Sequence, residues 1–342
     1  MSQAIQQTKF FQKAAGTLVG GLIGDAIGTP TEGMSYTDIE SKYGWVDDFD
    51  CDGTDDTIMK YLLAETLISS DGFASYDDWA QTWLDNWESI FGDKKGKFFI
   101  SVLHTAVKLH EHSIPRMAAL GNMPSSSSAM CIAPVGIVNA CNPRQAADQA
   151  YNLASLIHIH DVSFCLDGAA VIAAAVAAAF IPDATVDSIL NAALNALVPV
   201  SGKEMADLIS DALETASQAS DYEAFRQTVY ADGRFFCRIL CDSRETIPLT
   251  LALFRLGQGD MEKVVTYAAN FGRDADTIGT MGGAIAGAYQ GITEIRADWV
   301  EKARRVTDID QDELAEQLIL TSRAKFDSQQ AARQDYLAIW GE

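Results

Sequence analysis

The segment Asn270–Gly279, NFGRDADTIG, runs almost directly into a second stretch, GGAIAGAYQG, that ends at Gly291. Two carboxylates, Asp274 and Asp276, are followed at once by the hydroxyl of Thr277. The small residues after them recur at near-helical spacing, which predicts a loop bearing the acids and then a helix packed through its small face. Carboxylate and hydroxyl oxygens are the hard ligands that Mg²⁺ and Mn²⁺ prefer.

A second acidic cluster lies far upstream, in the segment Gly53–Thr57, GTDDT, at the start of another apolar run with helical spacing. The alternative for either cluster is helix capping, because Asp and Thr are preferred at helix N-termini. A cap needs one side chain, whereas each cluster offers three oxygen donors. We therefore predict that the two clusters form one metal site.

Composition limits the classes of function. The chain of 342 residues has 48% hydrophobic residues, enough for a large core, and a formal net charge of −22. Such an acidic chain is not expected to bind nucleic acid or an anionic membrane. Its six cysteines include no C-x-x-C pair, and residues 1–12 lack a signal-peptide pattern. We expect reduced thiols and a cytoplasmic location.

Helical periodicity dominates the chain. We find no convincing alternation of the β type and no Pro/Ser-rich linker, so we predict an all-α fold of more than ten helices in a single domain, residues 1–342. The segment from Tyr36 to Asp52 is expected to be a polar loop, and Tyr76 to Phe91 one helix. The alanine-rich run Ala169–Ile181 is too short for a spanning helix and predicts a buried one.

Three ordered motifs together resemble the ADP-ribosylglycohydrolase family. They are Gly20–Gly28 (GGLIGDAIG) followed by Glu32, then Gly53–Thr57, then Asp274–Gly279 (DADTIG). The resemblance covers about residues 12–292 and leaves C-terminal helices in 293–342. It implies an orthogonal multi-helix fold with a binuclear centre of two Mg²⁺ (or Mn²⁺).

Carried over residue by residue, the resemblance assigns roles to the motif residues. The implied metal ligands are Thr54, Asp55, Asp56, Asp274, Asp276 and Thr277. The implied catalytic residues are Glu32, Asp55, Asp56 and Asp276. The expected substrate-binding residues are Asp25, Ser127, Ser128, His158 and Arg273. For Arg273 the alternatives are pairing with a ligand carboxylate and neutralising the acidic cluster from the surface.

The chain departs from the family pattern in one segment. Many members carry an Asn and an Arg in a pocket-lining stretch where this chain has Ser126–Cys131, SSSAMC. The leading hypothesis is a metal-dependent hydrolase of an N-glycosidic bond to ribose, removing ADP-ribose from an arginine-type acceptor, either a small molecule or a protein. The altered segment favours, as an alternative, a nucleosidase acting on a small N-riboside. A third hypothesis is a non-catalytic ligand-binding relative.

Overall fold

The structure, a computed structural model, describes residues 5–93 and 95–340. These residues form eighteen α-helices, joined by loops and short 3₁₀ turns, and no β-strand, which confirms the predicted all-α class. In chain order the α-helices are α1 (Lys9–Gly28), α2 (Tyr36–Tyr43), α3 (Asp55–Ser69), α4 (Tyr76–Asp85), α5 (Trp87–Phe91), α6 (Ile100–His110), α7 (Pro115–Ala118), α8 (Ala133–Val138), α9 (Pro143–Ala154), α10 (Ser163–Ala179), α11 (Val186–Asn195), α12 (Lys203–Gln218), α13 (Tyr222–Asp232), α14 (Ser243–Leu256), α15 (Met261–Phe271), α16 (Ala275–Gln290), α17 (Ala297–Val306) and α18 (Gln311–Trp340).

Two boundaries differ from the sequence predictions. The expected loop from Tyr36 to Asp52 begins with α2, whose eight residues are capped by the hydroxyl of Ser35. The expected single helix from Tyr76 to Phe91 is interrupted at Asn86, whose backbone leaves the helical conformation. Both features are local and short, and an eight-residue helix gives too few turns for periodicity to reveal it.

The helix α10 belongs to a stretch, His160–Ala179, that is long and apolar enough by length and composition to cross a membrane. The most apolar part of this stretch is 89% buried inside the chain. This burial is typical of a core helix, as predicted for the alanine-rich run. One hydrophobic core extends from Phe11 in α1 to Ile319 in α18 and includes most of α10.

The helices α1 and α16 cross antiparallel with their backbones in direct contact. Small residues face each other in the pairs Gly16–Gly287, Gly20–Gly283 and Gly24–Gly279. A Cβ atom built on Gly24 would lie 1.9 Å from the carbonyl oxygen of Gly279. At the end of the row, a Cβ on Gly28 would lie 2.4 Å from the Cα of Asp276. The contact thus places the C-terminus of α1 beside the acidic start of α16.

The loops that follow α1 and precede α16 are also joined. The backbone N–H of Arg273 donates to the carbonyl of Met34 (2.9 Å), and that of Gly33 donates to the carbonyl of Arg273 (2.7 Å). Arg273 adopts a left-handed backbone conformation, φ 61°. These bonds hold the loop that carries Glu32 against the loop that carries Asp274.

The side chain of Arg273 forms a buried ion pair. Its Nε and Nη2 atoms each donate to the carboxylate of Glu245 at 2.7 Å, and Nη2 also donates to the carbonyl of Cys237 at 3.0 Å. Glu245 lies in the first turn of α14, is fully buried, and accepts the N–H of Cys237 at 2.7 Å. Burial raises the pKa of Glu245, while hydrogen bonds from Arg273 oppose the rise. Arg273 therefore joins the acidic loop to the segment around Cys237.

We expect Gly24→Ala to lower the free energy of unfolding by about 3 kcal/mol or more, because the added methyl group must push apart two backbones that have no side chain to move. The measurement is the midpoint of urea unfolding. Gly96→Ala serves as the control, since a Cβ at Gly96 meets no atom within 4 Å. Equal midpoints for both variants would contradict the close contact of α1 with α16.

We expect Arg273→Gly to be less stable than the wild type, although glycine removes the strain of the left-handed backbone, roughly 1 kcal/mol. The loss is larger because the buried Glu245 is left without its partner, which costs about 3–5 kcal/mol. In the variant, the unpaired carboxyl of Glu245 has a raised pKa in the folded state. Its contribution to the free energy of unfolding is therefore present at low pH and is lost as pH rises through that pKa. The deficit relative to wild type should therefore be greater at pH 8 than at pH 5.

The double variant Arg273→Gly/Glu245→Gln is the control for this prediction, because it removes the stranded charge. Thermal unfolding at both pH values should show partial recovery in the double variant. An Arg273→Gly protein as stable as the wild type would show that the ion pair contributes nothing.

Candidate active site

An acidic pocket of about 430 Å³ lies where the N-termini of α3 and α16 meet. Its floor carries five carboxylates, those of Glu32, Asp55, Asp56, Asp274 and Asp276. Thr277 lies beside Asp276 in the lining. The rest of the lining comes from three other parts of the chain, with the residues Gly96, Lys97, Phe98, Phe99, Ser126, Ser127, Met130, Arg238, Ile239, Leu240 and Cys241. The two sequence clusters therefore share one site.

The four aspartates of the floor are almost completely buried, with 2–6% of each residue exposed. Burial and mutual repulsion raise their pKa values. The pKa of Asp55 rises to about 8, through burial and then the charge of Asp25, and that of Asp274 to about 7, through burial and then the charge of Glu32. The pKa values of Asp56 and Asp276 are also raised well above the ordinary range, with burial the largest cause.

Two carboxylate oxygens of the floor have no hydrogen-bond partner among the described residues. They are Oδ2 of Asp56 and Oδ1 of Asp276, and both are buried. A buried anionic oxygen without a partner is unfavourable, since its lost hydration is not replaced. One oxygen each of Glu32, Asp274 and Asp276 lie within 4.8 Å of one another, close enough to hold a metal ion.

Helix capping does not explain the acidic residues. The cap of α3 is Thr54, whose hydroxyl accepts the N–H of Asp56 at 3.4 Å. Asp274 occupies the N-cap position of α16, but its side chain makes no capping hydrogen bond. Of the six predicted metal ligands, five line the pocket. The sixth, Thr54, lies beside them and donates its hydroxyl proton to Asp25 at 2.9 Å.

Asp25, which the sequence predicts to contact the substrate, forms its side-chain hydrogen bonds with the GTDDT loop. Its carboxylate is fully buried and accepts four hydrogen bonds, from the N–H and hydroxyl groups of Thr54 and Thr57, at 2.6–3.0 Å. A Cβ on Gly53 would lie 2.3 Å from Oδ2 of Asp25. Asp25 therefore fixes the GTDDT loop from behind and is not part of the pocket lining.

In the serine segment, too, some residues line the pocket and others lie outside its lining. His158 is fully buried, with Nε2 3.0 Å from the hydroxyl of Ser125 and Nδ1 3.1 Å from that of Ser128. Burial lowers the pKa of His158 to about 3, so the ring is neutral at pH 7. His158 and Ser128 hold the segment in place and are not among the residues that line the pocket. Ser127 lines the pocket, and so does Ser126, whose hydroxyl lies 3.3 Å from Oδ2 of Asp274.

Arg273, expected at the substrate, also lies outside the pocket lining because its guanidinium group is paired with Glu245. Glu32, in contrast, lines the pocket and is an exposed residue. Partial burial of its carboxylate, and then the charge of Asp25, raise its pKa. Glu32 is thus the floor carboxylate most accessible to a bound molecule.

Two segments of the pocket wall were not predicted from the sequence to lie at the site. One is Gly96–Phe99, which begins within the 3₁₀ turn Lys95–Lys97, and the other is Arg238–Cys241, in the loop between α13 and α14. Neither segment has helical periodicity or a motif of ligand residues. Their position at the pocket depends on contacts between distant parts of the chain, such as the N–H of Ser126 donating to the carbonyl of Cys241 at 2.6 Å.

The chain is similar to known proteins along most of its length. The model of the ADP-ribosylglycohydrolase family matches residues 6–328. The chain is 28% identical over 310 residues to the uncharacterised protein YegU of Escherichia coli K12, covering 83% of this chain and 89% of YegU. It is 25% identical to the ADP-ribosylhydrolase ARH3 of Danio rerio, covering 90% of this chain and 91% of that protein.

Among solved structures, a chain of an ADP-ribosylglycohydrolase-related protein complex has the same fold. The TM-score is 0.69, with 20% sequence identity, and the match covers 92% of this chain and 99% of the other. The family match spans nearly the whole chain and includes both helix N-termini that form the acidic floor. The chain therefore belongs to the ADP-ribosylglycohydrolase family and is a hydrolase of glycosidic bonds.

Proposed function

We propose that this enzyme uses two divalent cations, Mg²⁺ or Mn²⁺, to remove ADP-ribose from an acceptor of the arginine type by hydrolysing the N-glycosidic bond. The observation that carries the proposal is the pair of unpartnered oxygens, Asp56 Oδ2 and Asp276 Oδ1, buried in one floor at two helix N-termini. Five ionised carboxylates in one pocket repel one another unless positive charge lies between them, and few basic side chains line the pocket.

The donor set fits hard cations. The residues that would hold them are Thr54, Asp55, Asp56, Asp274, Asp276 and Thr277, which offer carboxylate and hydroxyl oxygens only. The thiols near the floor, those of the buried Cys131 and the partly buried Cys241, have raised pKa values and remain protonated, so they are poor metal ligands. When bound, the cations supply Lewis-acid activation of water and orient the ribose hydroxyls.

The remaining chemistry belongs to side chains of this chain. In the hydrolysis the oxygen of water bonds to the anomeric carbon, the bond to the acceptor nitrogen breaks, and that nitrogen takes the electron pair and a proton. Glu32 is placed to accept the proton of the water or to stabilise the positive charge that develops on the sugar. Phe98, Phe99 and Met130 supply apolar surface to the walls of the pocket.

The proposal of an arginine-type acceptor is based on the opposite charges of the acceptor and the enzyme. A guanidinium acceptor is positively charged, whereas the chain carries a net charge of −22 and presents the exposed Glu32 at the pocket. Such a field attracts a cationic substrate group. The alternative of a nucleosidase is supported by the neutral hydroxyls of Ser126 and Ser127 in the wall, where a small uncharged riboside would find hydrogen bonds.

One assay separates these possibilities. The enzyme is incubated with Mg²⁺ or Mn²⁺, with and without EDTA, and with ADP-ribosyl-arginine, ADP-ribosyl-serine, NAD and nucleosides, and the products are identified by mass spectrometry. We expect free ADP-ribose from ADP-ribosyl-arginine only when metal is present. Release of base from nucleosides alone would support the nucleosidase, and activity unchanged by EDTA would contradict the metal centre.

Asp56→Ala and Asp276→Ala should each lower the turnover of the preferred substrate by about a hundredfold or more. Each variant removes a carboxylate that is proposed to bind the catalytic cations. Both variants should remain folded by circular dichroism, since each loses a buried carboxylate that its neighbours repel. Asp187→Ala is the matched control, a loss of one charge at a surface ion pair with Arg255. Full activity of both floor variants in EDTA would refute the proposal.

Metal binding should stabilise the enzyme more at pH 8 than at pH 6. Without metal, the floor aspartates have raised pKa values, for instance about 8 for Asp55, so the folded state holds protons that the unfolded state has released. Stability of the metal-free protein therefore falls as pH rises from about 4 to 8. Bound cations favour the ionised carboxylates and reverse this loss.

The measurement is the shift of the unfolding temperature on adding Mn²⁺ to EDTA-treated protein at both pH values. Asp276→Ala, which lacks one ligand, should show a much smaller shift. A shift of equal size at pH 6 and pH 8 would mean that the cation binds somewhere other than this floor.

A further inference from the structure

The walls of the acidic pocket contain two basic side chains, Lys97 and Arg238. They are opposed by the five carboxylates of the floor and by a chain with 47 acidic and 25 basic residues. A basic group that remains available at such a site is unusual, because nearby carboxylates would normally pair with it. The contacts of the two side chains decide which of them is free.

Lys97 is already engaged. Its ammonium group donates to the carbonyl of Gly53 and lies 3.7 Å from the carboxylate of Asp52. These contacts attach the Gly96–Phe99 wall to the loop that precedes Asp55. Lys97 therefore has a structural role and offers little free charge to a ligand.

Arg238 makes no hydrogen bond or ion pair with the described residues, although its neighbours do. Arg234, in the same loop, pairs with Asp211 and Asp232 at 3.1 Å and 3.0 Å, and Arg244 pairs with Asp242 at 2.7 Å. Three other exposed arginines of the described chain, Arg144, Arg305 and Arg333, also lack such partners, but none of them lines the acidic pocket. Arg238 is therefore the uncommitted cation of this site.

The backbone on both sides of Arg238 is fixed. Before it, Phe235 is 2% exposed in an aromatic cluster, and Cys237 is held by Glu245 and Arg273. After it, the carbonyl of Cys241 accepts the N–H and the hydroxyl of Ser126, at 2.6 Å and 3.0 Å. The loop is thus held at the pocket while the guanidinium group stays free, and this arrangement lowers the entropy lost on binding a ligand.

We propose that Arg238 binds a phosphate group of the substrate, so that the pocket selects phosphate-bearing ribosyl compounds over uncharged nucleosides. This inference rests on the proposed function and names the residue that sets its specificity. A guanidinium group offers paired N–H donors that match a phosphate, and it stays charged at every physiological pH. The serines of the adjoining wall segment, Ser126 and Ser127, supply neutral hydroxyls and cannot offset the negative field of the chain.

The first test is binding of free ADP-ribose by isothermal titration calorimetry in the presence of Mg²⁺. Arg238→Ala should weaken binding roughly tenfold to a hundredfold, as expected for the loss of hydrogen bonds to a charged group. Arg238→Lys should restore part of the affinity, since it returns the charge without the paired donors. Arg305→Ala is the matched control, because it removes one exposed arginine that has no ion pair among the described residues and does not line the pocket.

The second test is kinetic and separates binding from chemistry. For the phosphate-bearing substrate, Arg238→Ala should raise KM by a similar factor and leave kcat nearly unchanged. For any uncharged nucleoside that the enzyme accepts, the variant should behave as the wild type. Equal KM and equal ADP-ribose affinity in Arg238→Ala, Arg305→Ala and wild type would overturn the assignment.

The two proposals fail in different ways. If the wild type cleaves no ribosyl compound but binds ADP-ribose through Arg238, the hydrolysis proposal fails and the assignment of Arg238 stands. If the wild type cleaves nucleosides in a metal-dependent reaction and does not bind ADP-ribose, the assignment of Arg238 is wrong.

Discussion

The direct contact between the backbones of α1 and α16 is the constraint on which the rest of the structure depends. Glycines face each other in three pairs at the crossing, so no side chain separates the two backbones at these pairs and the helices approach closely. Because the crossing is antiparallel, the end of α1 meets the start of α16. Glu32, carried by the loop after α1, is thereby brought beside Asp274 and Asp276, although more than two hundred residues separate them in sequence.

The pocket formed in this way is electrostatically unfavourable on its own. Burial raises the pKa of each floor aspartate, and two carboxylate oxygens have no partner among the described residues. The helix N-termini of α3 and α16 and the four hydrogen bonds to Asp25 keep the arrangement folded. The rest of the required positive charge has to come from a ligand. Strongly perturbed carboxylates are typical of functional sites, since the charges that destabilise the protein alone are the ones that can bind a positively charged ligand.

The two wall segments of the pocket, the serine segment and the loop between α13 and α14, indicate how substrate recognition can differ among members of this family. The serine segment is held from behind by His158, so its shape is kept while its pocket side offers only hydroxyls. The loop between α13 and α14 supplies the cation that the serine segment lacks. Arg273 connects this loop to the acidic floor through Glu245 and Cys237, which ties the position of Arg238 to the loop that carries Asp274.

The sequence by itself determined the helical class, the small-residue faces of α1 and α16, and the two acidic clusters, because helical period and donor chemistry are local properties. It also placed Glu32 in a turn after a glycine-rich helix. Only the tertiary structure showed that Asp25, Ser128, His158 and Arg273, which the sequence predicts to contact the substrate, form hydrogen bonds with other groups of the protein. It alone revealed Arg238. The physical reason is that the partner of a polar side chain, or its lack of one, depends on segments that are remote in sequence, and no local pattern records it.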